Sequence, residues 1–311
     1  VRACCVSPSL KVADCAFNSE KIIEKVRLAS KKGASIIVFP ELSITGCTCA
    51  DLFLQKKLQD EAILSLELIA VKTRTFDSLI LVGLPLCVEN LLYDCAAVIH
   101  KGKVLALIPK TFFSTHDGLF QARYFSSADA SFLKTVKVSE KIGSVPFGKN
   151  ILIRVSSTDS FVLSVELGED LASPFPPSIK ASLAGANVIA NLAASEETAG
   201  KSERRKELVK VHSLRTVSAY LYSNAGSGES SQDSVFSSHS MIFESGTELA
   251  EIAPFSKNDM IYADVDVERI MQERRRNQAF FNGDVSVDLS GFRTIEVCMK
   301  ENRISFNALQ R

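Results

Sequence analysis

The sequence predicts an α/β layered fold, with a mixed sheet or sheets, in a single domain. Three observations predict it. Runs such as IIVF at 36–39 and LILVG at 79–83 are apolar at every position, as strands buried on both faces are. Helical text with one-sided apolar stripes lies between the early strands, and later strands come in hairpin-like pairs. No linker rich in Gly, Ser or Pro and no repeat divides the chain, so one domain over 1–311 is expected.

Taken in order, strands are expected at 2–6, 34–39, 79–86, 94–100, 104–108, 151–156, 161–167 and 187–192, then at 219–224, 239–244, 260–266 and 292–298. Helix 18–32 carries the stripe Ile22, Ile23, Val26 and Ala29, with Gly33 placed for a left-handed C-cap. Helix 51–72 repeats the pattern with Leu52, Phe53, Leu58, Ile63, Leu66 and Ile69. Further helices are expected at 200–217 and 268–278. The arginines of the last could bind phosphate, but a solvated helix face is the simpler reading. The stretch GSGESSQDS at 226–234 reads as a short polar loop.

Composition removes several function classes. With 311 residues at 46% hydrophobic, the chain can bury a large core. Lys+Arg and Asp+Glu both number 36, and no basic block stands out, so neither nucleic acid nor an anionic membrane is an expected partner. No apolar run is long enough to cross a bilayer, and with no charged-then-apolar text at the start no leader is expected. The chain begins with Val, so its native start is expected to be trimmed or processed.

The eight cysteines sit mostly in apolar text such as RACCV, where cysteine acts as a small hydrophobe. A reducing, cytoplasmic compartment is expected. Cys47 and Cys49 form C-x-C without a second pair, and the four histidines lack ligand spacing, so no metal site is expected.

In α/β sheets, function gathers beyond the carboxyl ends of strands. In IIVFPELSITG the strand ends at Phe39, Pro40 stops it and Glu41 follows. In VLALIPKTFF, Pro109 breaks the strand and Lys110 follows. In FVLSVELGEDL the run 161–167 stops at Gly168. Each lone charge has a bland reading as a solvated strand end; together they mark a candidate site.

FPELSITG, IPKTFF and ELGEDL resemble the three active-site blocks of the nitrilase, or carbon–nitrogen hydrolase, superfamily. Longer stretches, among them FPELSITGCTCADLF, NLAASEETAGKSERRKELV and GSGESSQDSVFSSHSMIFESGTELAE, resemble the glutaminase domains of glutamine-dependent NAD synthetases almost from end to end. The resemblance implies a four-layer αββα sandwich, two mixed sheets flanked by helices. It implies Glu41 as general base, Lys110 as stabiliser of the tetrahedral oxyanion, and a cysteine at position 168 attacking the glutamine amide. Ser195 and Lys201 match the segment holding the amino-acid end of glutamine; a helix N-terminus with ordinary caps explains that text equally well. Glu169 belongs to the same expected pocket. No cofactor is implied for this domain; ATP and Mg belong to a C-terminal synthetase domain whose Ser-Gly-Gly-x-Asp-Ser loop is not in the chain. Expected partners are glutamine or a similar small amide, that synthetase domain and further copies of the chain.

The chain departs from the family where it matters most. Gly168 stands at the nucleophile position, and glycine can form no thioester. After Lys110 the text reads KTFFSTHDGLFQAR: His116 takes a family tyrosine position, Gly118 and Gln121 two glutamate positions, the second an active-site acid. Several positions differ together, as in a degenerate catalytic triad rather than a single trapping substitution. Ser164, on the strand before Gly168, is about 13 Å away along it, too far to replace a thiol. Cys47, a few residues after Glu41, is the other candidate replacement.

Three functions therefore stand side by side: a glutaminase domain with its activity lost, a non-catalytic module that binds or assembles, and an amidase with a relocated nucleophile. All three expect Glu41, Lys110 and the Gly168 backbone in one pocket, with Gly168 in a tight strand-to-helix bend.

Overall fold

The computed structural model describes residues 1–114, 119–156, 161–281 and 287–300. The first sheet is built from β1 (Arg2–Val6), β2 (Ile36–Val38), β3 (Leu79–Val88), β4 (Leu91–His100) and β5 (Lys103–Pro109). A small hairpin, β6 (Thr135–Ser139) and β7 (Gly143–Pro146), follows. The second sheet uses β8 (Ile151–Val155), β9 (Val162–Leu167), β10 (Val188–Ala193), β11 (Ala219–Asn224), β12 (Ser240–Glu244) and β13 (Thr247–Ile252). β14 (Met260–Asp264) returns to the first sheet and β15 (Arg293–Val297) to the second. The orders are β14-β1-β2-β3-β4-β5 and β13-β12-β11-β10-β9-β8-β15. Both sheets are mixed: β1, β2 and β3 run parallel, as do β9, β10 and β11, and their outer neighbours are antiparallel.

The longer helices are α1 (Cys15–Lys31), α2 (Lys56–Thr73), α3 (Pro177–Leu183), α4 (Lys201–Arg215) and α5 (Val267–Arg276). Strand period two sorts the apolar residues into layers. Ile36 and Val38 face the second sheet, whereas Ile37 and Phe39 face α1 and α2. Between the sheets, Leu79 and Leu81 share a core with Leu163, Val165, Val188 and Ala190. On the far side of the second sheet, Ile189, Tyr220 and Phe243 pack on Val209 of α4. The result is a four-layer αββα sandwich.

Boundaries shift where local chemistry outweighs periodicity. The Asp14 side chain caps α1 by accepting from Phe17 N, so this helix begins before residue 18. The second expected helix divides: Ala50–Leu54 is a 3₁₀ turn, Gln55 is extended, and α2 starts at Lys56. β6, β7, β13 and α3 carry no clear sequence signal, being short or half-exposed. The arginine run on α5 is only partly solvated. Arg274 is buried, and its guanidinium donates to the carbonyls of Ala186, Thr216 and Val217 at 2.7–2.9 Å.

Gly83 in β3 shows why the first strand end can exist. A Cβ there would lie 2.2 Å from Leu42 N and 2.8 Å from Glu41 C. Only a glycine lets the backbone carrying Glu41 press onto the strand. The Gly83 amide donates to Ser43 Oγ at 3.1 Å and locks that turn.

Candidate active site

Three strand ends deliver the central residues. Glu41 follows β2, Lys110 follows β5 and Gly168 follows β9. Gly168 has φ +39° and opens a 3₁₀ turn over Gly168–Ala172, the tight bend its sequence context predicts. A Cβ built on Gly168 would sit 2.4 Å from Glu41 Oε2 and 3.1 Å from Lys110 Nζ. The structure thus brings Glu41, Lys110 and Gly168 together, with the carboxylate in the space that a side chain at 168 would enter.

Glu41 and Lys110 are both buried. Lys110 Nζ donates to Glu41 Oε1 at 2.7 Å and to Gln121 Oε1 at 2.7 Å. Gln121 Nε2 closes the triangle on Glu41 Oε1 at 2.6 Å. Burial disfavours the Lys110 ammonium, but the neighbouring carboxylates, Glu41 foremost, outweigh it and hold the pKa above its ordinary value. Lys110 therefore stays charged, and a buried cation can stabilise an oxyanion. Glu41 Oε2 has no hydrogen-bond partner among the described residues.

Asp170 ties two of the strand ends together. Its Oδ1 accepts from Thr111 N at 3.0 Å and Phe112 N at 2.7 Å, and its Oδ2 from Leu167 N at 3.1 Å. Burial and the Glu166 carboxylate nevertheless push its pKa up to about 7. The loop after Glu41 is pinned separately. Glu229 accepts from Cys47 N at 2.8 Å and from Thr48 Oγ1 at 2.6 Å. The polar stretch 226–234 is therefore a clamp on that loop.

A cavity of about 740 Å³ opens on the other side of Gly168. Gly168, Glu169, Ser195, Lys201 and Tyr222 are among the residues lining it. Ser195 caps no helix. Its amide donates to Asn224 Oδ1 at 2.8 Å and its hydroxyl accepts from Arg205 Nη2 at 3.3 Å, while Gly200 occupies the N-cap of α4. Lys201 lies 3.6 Å from Glu196 Oε1. Gln121 lies with Glu41 and Lys110 beneath Gly168, outside the cavity lining. His116 and Gly118 fall outside the described residues.

Cys47 is a poor replacement nucleophile. It is buried, and burial, together with the Glu229 carboxylate, pushes its thiol pKa well up. The attacking form is the thiolate, which this environment suppresses. Among the described residues no cluster of three or more His, Cys, Asp or Glu could hold a metal ion, and no helix is long and apolar enough to cross a membrane.

Sequence reasoning missed three contributors. Asp94 was legible only as a carboxylate inside the apolar strand text YDCAAVIH. Arg205 and Glu229 lie in helix and loop text that is polar throughout, where no single position stands out.

Comparisons with known proteins bear on the family and the fold. The profile of the family described as Carbon-nitrogen hydrolase matches residues 1–275. The glutamine-dependent NAD(+) synthetase of Mycobacterium bovis is 35% identical over 281 residues, covering 90% of this chain and 41% of the relative. That of Saccharomyces cerevisiae is 28% identical over 269 residues, covering 83% and 37%. The chain thus spans less than half the length of these relatives. A crystal structure of a glutamine-dependent NAD(+) synthetase from Cytophaga hutchinsonii superposes with a TM-score of 0.74 at 25% identity, over 85% of this chain and 43% of that one. An amidase from Nesterenkonia, at 19% identity and a TM-score of 0.67 over 89% of this chain and 97% of that one, shares the fold. With the family's profile matched over most of its length and three strand ends meeting at one buried point, the chain belongs to the carbon–nitrogen hydrolase family.

Proposed function

We propose that this chain is a glutaminase-type domain of a glutamine-dependent NAD synthetase that binds a small amide, glutamine foremost, without covalent turnover. The observation that carries the reading is the meeting of Glu41 and Lys110 at a position that holds glycine. Glutamine hydrolysis in such a site needs a nucleophile, a base and an oxyanion stabiliser. Glu41 and Lys110 suit the base and the stabiliser, and the glycine at the nucleophile position has no atom with which to attack. Glu41 Oε2 has a lone pair for the N–H of a bound amide, and Lys110 suits its carbonyl oxygen. Ser195, Lys201 and Glu169, around the cavity, suit the charged amino-acid end. By likeness to its relatives, the partner of such a domain would be a synthetase domain, with ATP and Mg confined to that domain. Domains of this fold would also associate as homo-oligomers, which gives an inactive copy a role in assembly.

Cys47 supplies the competing reading, an amidase with a relocated nucleophile, and its burial opposes that. The test is glutamine binding by calorimetry beside ammonia release, on the parent chain and on Gly168→Cys. Binding without release by the parent is expected. Steady ammonia release from the parent, abolished by thiol alkylation, would overturn the reading and return attention to Cys47. Gly168→Cys regains release only if Glu41 retreats from the 2.4 Å approach to the new Cβ.

A further inference from the structure

Asp94 sits within β4, fully buried, in a strand that is otherwise apolar or aromatic from Leu91 to Val98. Neither of its carboxylate oxygens has a hydrogen-bond partner among the described residues. An ionised carboxylate left in this state would be among the costliest groups a core can hold. Among the described residues near Lys110, the other carboxylate with an oxygen lacking a donor is Glu41, at Oε2. Each orphan acceptor answers the other if a single proton lies between them.

The groups facing Asp94 limit where that proton can be. Glu41 comes from the end of β2, Lys110 from the end of β5, Asp170 from the turn after β9, and Cys95 from the next position on its own strand. Lys110 is the one cation of this set, and its Nζ is already bonded to Glu41 Oε1 and Gln121 Oε1. Lys110 meets Asp94 through the backbone instead, its amide donating to the Asp94 carbonyl at 2.8 Å. Glu41 Oε1 accepts from two donors, one of them the Lys110 ammonium, and that ion pair favours the charged carboxylate on Glu41. Two adjacent carboxylates beside one lysine cannot both be charged in a buried site.

We propose that Asp94 is a positioning residue of this site: a neutral carboxylic acid that donates its hydroxyl proton to Glu41 Oε2. Glu41 is then gripped from both sides, by Lys110 and Gln121 on one oxygen and by Asp94 on the other. This grip sets the carboxylate against the Gly168 backbone. Burial first, and then the Glu41 charge, raise the Asp94 pKa well above the usual carboxylate range, in keeping with this assignment. The functional consequence rests on the reading of Glu41 as an amide-facing group; the protonation state does not.

The experiment is urea unfolding of the parent chain and Asp94→Asn from about pH 4 to about pH 8, the range above the ordinary aspartate pKa. In the native state Asp94 keeps a proton that the unfolded chain releases above about pH 4, so the folded form binds more protons. The parent's folding equilibrium constant should therefore fall relative to that of Asp94→Asn, by up to about tenfold per pH unit. Asparagine keeps an N–H donor for Glu41 but cannot titrate. A ratio that is flat or rises with pH would overturn the proposal.

A second measurement needs no variant to fold. Carboxyl-carbon NMR of aspartate-labelled parent chain should show one aspartate still protonated at pH 8, where Asp170, with a pKa of about 7, is mostly ionised. A spectrum with every aspartate ionised would overturn the proposal. Neither readout depends on glutamine, so a failure to bind the amide would sink the functional reading while leaving this one to its own test.

Discussion

Two buried glutamates flank Gly168, each 1% exposed, and they are finished differently. Glu166, on the second sheet, accepts from the Tyr220 hydroxyl on Oε1 and from Ser178 N at 3.1 Å on Oε2. Asn191 links the same tyrosine, at 3.0 Å, to the Gly168 carbonyl, at 3.2 Å. Ser178 Oγ in turn bonds His212 Nε2 at 2.7 Å, and burial lowers the His212 pKa, so the ring stays neutral at pH 7. Both oxygens of Glu166 are occupied by neutral groups of the fold itself. Glu41, on the first sheet, pairs with a cation through one oxygen, and its other oxygen has no donor beyond the proton assigned to Asp94. The contrast separates structure from site: a closed hydrogen-bond set holds the core, whereas an open one leaves a place for a proton or a ligand.

The comparison can be broken most severely at Lys110. Lys110→Met would leave the Glu41 charge buried without its cation, at a cost of about 3–5 kcal/mol in urea-unfolding stability. A loss under about 1 kcal/mol would mean that Glu41 carries no charge in the native state. Tyr220→Phe probes the closed cluster. It removes one bond to a charged acceptor and should cost about 1.5–3 kcal/mol, with no change in the amide affinity of the cavity. An equal loss of affinity would join the two clusters into one functional unit.

Between the clusters lies Gly168 itself. Gly168→Ala places a side chain on a left-handed residue and into Glu41, for an expected cost of about 1–3 kcal/mol. A more stable alanine form would refute the left-handed turn. The smallest effect is expected at Ser178→Ala, about 0.5–1.5 kcal/mol, because the Ser178 amide that serves Glu166 remains in place. Denaturant midpoints at one pH would rank all four variants.

The strand ends were legible because each is punctuated locally. An apolar run meets Pro40 before Glu41, ends in Pro109 before Lys110, and stops at Gly168. The strands built from such runs were legible for the same reason, while the half-exposed β6, β7 and β13 were not. Helix starts were less legible. Asp14 extends α1, and extended Gln55 delays α2, through single-residue geometry that periodicity does not register.

By itself, the sequence determined the layered fold, the family and the absence of a side chain at position 168. These follow from residue types and short-range spacing, which survive any change in how distant segments meet. Only the tertiary structure decided that Glu41 fills the space beside Gly168, that Asp94 shares the site, that Glu229 clamps the Cys47 loop and that Cys47 is buried. Those outcomes depend on sheet register and on packing between strands far apart in the chain. A shift of one residue would turn Asp94 to the opposite face of β4.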